Sequence, residues 1–136
     1  MNRRIERLVR ARANGVCEYC RMPEEWSELR FVIDHIIAKQ HRGRSGESNL
    51  ALACVFCNAH KGPNVGGIDP RTGRHARLFH PRKDTWRDHF KWRSEKLMGM
   101  TTIGRATVVV LAMNHSSQLR ARRALIRDGL FPARNR

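Results

Sequence analysis

The stretch CEYCRMPEEWSELRFVIDHIIAKQHRGRSGESNLALACVFCNAHKG, residues 17–62, contains every cysteine of the chain, arranged as two CxxC pairs, Cys17/Cys20 and Cys54/Cys57. Each spacing lets two thiolates of one tight turn reach a single ion, and two pairs complete the tetrahedral four-sulfur shell that Zn²⁺ accepts. A redox dithiol pair or unrelated buried cysteines are the competing readings, and neither accounts for two matching pairs. Thirty-three residues separate Cys20 from Cys54, so the metal ties off an inserted unit. A closed four-thiolate shell has no open position, which makes this zinc structural and places any chemistry elsewhere.

The inserted unit reads as two short strands and the start of a helix. Leu29–Ile33 is rich in β-branched and aromatic residues and predicts a strand ending at Asp34-His35. The segment 39–48 is polar, basic and glycine-bearing and predicts an exposed loop, which Asn49 closes. Leu50–Ala53 predicts the second strand, and Cys57-Asn58-Ala59-His60-Lys61 opens a helix. At a strand end Asp34 and His35 point to opposite faces. One can then face a metal while the other faces a water. Asp34 offers a hard oxygen suited to Mg²⁺ or Mn²⁺, and His35 titrates where a general base is useful. Asn58 adds a side-chain oxygen at a helix start that favours phosphate. Taken singly, a strand-end histidine is more often structural and Asp34 is an ordinary turn residue. The combination with Asn49, Asn58 and the framing cysteines singles them out.

The remaining chain surrounds this unit. Its 136 residues, 40% apolar, suffice for one domain with a modest core. The formal net charge of +15 exceeds what solubility requires and points to a polyanionic partner, nucleic acid first. An anionic membrane surface is the alternative, but no single amphipathic helix carries the basic residues. No run approaches a membrane span, and MNRRIERLVR lacks the apolar core of a signal peptide, so a cytoplasmic location is expected. Residues 2–14 place Ile5, Leu8, Val9 and Ala13 at helical spacing, with arginines on the other faces and Gly15 as a stop. Gly62–Gly73 predicts a loop leaving the core, and Asp84 an N-cap for a short helix carrying Trp86, His89 and Phe90. Trp86, Phe90 and Trp92 are expected in the core rather than stacked on bases. Residues 92–100 read as extended, and 102–114 and 116–128 as helices, the second with Arg120, Arg122, Arg123 and Arg127 mostly outward. The basic last residues are expected to fray.

The order CxxC, DHI, NL and CxxCNxxKG resembles the HNH endonuclease family. The resemblance implies an α+β fold: a small ββα-metal (His-Me finger) core with additional helices at both ends. The boundaries it suggests are a basic helix over 1–16, the nuclease core over 17–62 and a loop-and-helix extension over 63–136 packed on the core as one domain. The tail from LFHPRKDTWRDHF through TTIGRATVVVLAMN is similar to the C-terminal extension of a bacterial stand-alone subgroup.

Carried over residue by residue, the resemblance makes His35 the general base and Asp34 a metal ligand. Asn49 braces the loop and orients the histidine. Asn58 stands where many members have histidine, giving an H-N-N pattern. The implied chemistry is hydrolysis of DNA phosphodiester bonds assisted by one Mg²⁺ or Mn²⁺. His60 is a rival ligand: residues two apart on a helix face different ways, so one of the two binds the ion directly, Asn58 being the favoured one and His60 then a phosphate contact or a support behind the ligands. Lys39, Arg42, Arg44 and Lys61 are the further nucleic-acid contacts expected. A zinc-stabilised binding module without activity and a metal-dependent RNase are the alternatives, and nothing in the sequence marks the oligomeric state.

Overall fold

The computed structural model describes residues 2–132, and the basic tail beyond them lies outside that range. Helix α1 (Arg3–Ala13) starts where Asn2 Oδ1 accepts from Ile5 N at 2.9 Å and ends at Asn14, whose φ of 54° is left-handed. It buries Val9 and Ala13, whereas Leu8 is exposed. Two of its arginines are structural: Arg10 donates to Phe31 O and Arg12 to Leu50 O, both carbonyls at the ends of the strand pair that follows.

Strands β1 (Val32–His35) and β2 (Leu50–Ala53) form an antiparallel pair running from Val32↔Ala53 to His35↔Leu50. The first strand begins later than its composition suggests. Ser27 Oγ closes a turn with Leu29, which is 60% exposed, and Glu24 takes the Phe31 N–H at 2.7 Å, so 29–31 has no strand partner. Helix α2 (Val55–Lys61) begins before the predicted Cys57, because Cys54 Sγ caps it by accepting from Cys57 N at 3.3 Å.

The predicted loop after Gly62 contains a strand instead. β3 (Gly66–Ile68) pairs antiparallel with β4 (His75–Arg77). A Cβ on Gly67 would lie 2.4 Å from Val110 Cγ2, so the glycine marks close approach of a strand to a helix rather than a flexible turn. Helix α3 (Trp86–His89) is preceded by Thr85, not capped by Asp84. The Asp84 carboxylate is held by Arg77 at 2.7 and 2.8 Å and accepts from His80 N, which pulls its pKa down to about 2.

Hairpin β5 (Phe90–Arg93) and β6 (Lys96–Gly99) lead into α4 (Thr102–Val110), shorter than expected, and α5 (Ser116–Arg127). Asp69, after β3, is fully buried and joins α4 through Arg105 at 2.8 and 2.9 Å. Phe90, Leu97, Leu111 and Met113 share one buried cluster with all four cysteines, so the C-terminal elements pack directly on the metal-binding turns. Phe90 is buried and the two tryptophans half-buried beside it, Trp86 at 5.1 Å from Phe90 and 5.8 Å from Trp92. Arg122, expected outward, is 1% exposed and is the one fully buried residue of α5. No helix among the described residues is long and apolar enough to cross a membrane.

Candidate metal centre and active site

The two CxxC turns meet. The four Sγ atoms lie within 4.8 Å of one another, all are buried, and Cys20 Sγ is 3.8 Å from Cys54 Sγ. A tetrahedron built from Zn–S bonds of about 2.3 Å has edges of about 3.8 Å, so the cluster has the size of a four-thiolate zinc shell. The backbone N–H groups of Cys20 and Cys57 point at Cys17 Sγ and Cys54 Sγ, at 3.5 and 3.3 Å. Burial opposes ionisation of Cys17, yet hydrogen bonds from Cys20, Cys54 and Cys57 hold its pKa well down. Hydrogen bonding to Cys17 and Cys20 pushes Cys54 and Cys57 up. Four thiolates together require a cation, and the donor set suits zinc.

The strand pair carries the rest of the site. Asp34 is 5% exposed and faces inward, while His35, its neighbour on the opposite face, is half-buried. Asp34 Oδ2 accepts from Tyr19 Oη at 2.6 Å, and its carboxylate lies 3.2 Å from Lys61 Nζ. Lys61 also donates to the His35 carbonyl at 3.0 Å. Burial raises the Asp34 pKa, and the Lys61 charge and these hydrogen bonds oppose it. Lys61, expected to reach phosphate, is 1% exposed and serves as the internal counter-ion of Asp34. Because removing one partner strands a buried charge, Lys61→Met is expected to destabilise the protein by about 3 kcal/mol, read as a lower urea midpoint.

Asn49, 8% exposed, braces the loop between the strands. Its Oδ1 accepts from Ile37 N at 2.9 Å, and its Nδ2 donates to Ile37 O and Arg44 O at 2.9 and 2.8 Å. The next residue, Ser45, places its Oγ 3.0 Å from His35 Nε2. Asn49 thus fixes Arg44, and through Ser45 the histidine. Gly43 permits this tight loop, since a Cβ there would fall 1.6 Å from Ile37 O. Burial, then Lys39, lower the His35 pKa, against the raising effect of Asp34. Lys39, Arg42 and Arg44 are exposed around this loop.

Asn58 is half-buried on α2, one turn before Lys61, the residue that contacts Asp34. His60 turns away: its Nδ1 bonds Phe56 O at 2.9 Å and its ring stacks on Phe56 at 4.0 Å, on the side lined by Met22 and Trp26. The fold does not bring His60 to Asp34 and His35. Asp34 and Asn58 match a hard divalent ion in donor type. Asp34 would exchange its contact with Lys61 for such an ion. Sequence reasoning missed two residues of this site. Tyr19 was signalled only as an aromatic between two cysteines, and Ser45 is one serine in a polar loop.

Residues 17–64 match the family model described as HNH endonuclease. The match spans the two cysteine turns, the strand pair and α2. No curated protein and no solved structure matches the chain.

Proposed function

We propose that the protein is a DNA endonuclease that hydrolyses phosphodiester bonds with His35 as general base. The observation that carries this reading is the chain of contacts from Asn49 through Arg44 and Ser45 to His35, within a segment that matches a nuclease family. In the tautomer whose Nε2 donates to Ser45 Oγ, Nδ1 is the nitrogen left to take a proton from water. The lowered pKa favours the neutral imidazole, the form a base requires. Lys39, Arg42 and Arg44 bind the phosphates flanking the cut, which gives affinity that weakens steeply with salt. Asp34 and Asn58 would hold a Mg²⁺ or Mn²⁺ ion, which would supply Lewis-acid charge at the scissile phosphate. The buried thiols suit a reducing compartment, consistent with a cytoplasmic location.

Single-turnover cleavage of a labelled duplex across pH, with an EDTA control, tests the base. A base is active deprotonated, so with a depressed pKa the acid limb should have its midpoint below the ordinary histidine value of about 6.5. A rate independent of pH from 5 to 8 contradicts this assignment. Asn49→Ala releases Arg44 and Ser45 and should lower the cleavage rate about 10²-fold while zinc content stays at wild-type level. RNA cleaved in preference to DNA of the same sequence would reassign the substrate.

A further inference from the structure

Among the described residues, Arg122 is a buried cation with no acid paired to it. Its guanidinium donates to three backbone carbonyls, Gln118 O at 3.3 Å, Glu95 O at 2.8 Å and Met113 O, and lies 5.4 Å from the Trp92 ring centroid. None of the ion pairs among the described residues includes it, and the nearby Glu95 carboxylate pairs with Arg123 at 3.1 Å. Carbonyl dipoles satisfy its N–H groups, yet a full charge at this depth is costly without a counter-charge. At the other end of the same aromatic pair, Arg21 lies 5.1 Å over Trp86, whose Nε1 donates to Tyr19 O between the first two cysteines. Next to Arg122, Ala121 lines one cavity with Cys54.

We infer that Arg122, with Arg21, supplies the counter-charge of the zinc–thiolate centre, so that metal occupancy holds the C-terminal helix in place. Zn²⁺ with four thiolates carries a net charge of −2, and two guanidinium groups flanking it balance that charge within the core. The electrostatics agree. Burial depresses Arg122, and Cys20 and Cys57 are the leading groups that oppose it, followed by Glu95 and Cys54. The inference gives the C-terminal extension a task, since α5 brings a cation that residues 17–64 do not contain.

The test compares Arg122→Lys and Arg122→Met in the full chain, with zinc release read by titration with a chromogenic chelator and folding by far-ultraviolet circular dichroism. Both variants lose the fork of carbonyl bonds, but only the methionine loses the charge. The expected result is that Arg122→Met releases zinc about 10- to 100-fold more readily than Arg122→Lys. Arg122→Met unfolded at saturating zinc, beside a folded Arg122→Lys, also supports a role for the charge. Equal release from both variants, or both unfolded, overturns it and leaves only the carbonyl contacts. Zinc content of the wild type by elemental analysis tests the metal assignment separately.

Discussion

Removing zinc, by chelation or by Cys57→Ala, is expected to unfold the segment 17–64 and the elements packed on it. Cys57 is 1% exposed and lies in the same cluster as Leu52, Leu97 and Met113, so the centre sits inside the core rather than at its edge. Binding of structural zinc contributes on the order of 10–16 kcal/mol in small domains. The whole net stability of a domain this size is about 5–15 kcal/mol, so the metal is comparable to everything else combined. Far-ultraviolet circular dichroism of metal-free protein should show the loss of α1, α2 and α5, recovered on adding one equivalent of Zn²⁺. A metal-free form with the native spectrum and the native melting temperature would show that apolar packing suffices without the ion.

The cysteine turns and the two strands between them, the first displaced toward His35, were legible because each depends on local chemistry: thiol spacing and β-branched composition. What was misread depends on partners distant in sequence. Lys61 reads as a nucleic-acid contact after a cysteine turn, and its burial follows from Asp34, 27 residues earlier. Arg122 looked outward because α5 is arginine-rich, and nothing local distinguishes it from Arg120 or Arg123. Its burial requires Glu95, Met113 and Trp92 to converge on it. Gly66 and Gly67 carried the composition of a loop, but their lack of side chains serves contact with His75 and Val110. The brace made by Asn49 followed from the family resemblance, whereas Ser45, its link to His35, had no signal.

His35→Ala should lower DNA cleavage by about 10²–10⁴-fold. The side chain is half-buried at the strand end, with Ser45 its hydrogen-bonding partner. Its removal disturbs neither the cysteine cluster nor the Asp34–Lys61 pair. Lys61 contacts the His35 backbone carbonyl, which alanine retains. Zinc content, thermal stability and salt-dependent DNA binding should therefore match the wild type, so that the loss reports chemistry rather than folding.

The most direct measurement is cleavage of supercoiled plasmid by zinc-loaded protein with added Mg²⁺ or Mn²⁺, wild type beside His35→Ala, each with an EDTA control. The account predicts metal-dependent nicking or linearisation by the wild type that the variant loses while still binding the plasmid. Undiminished cutting by His35→Ala, or DNA bound but uncut by the wild type with either metal, would contradict it.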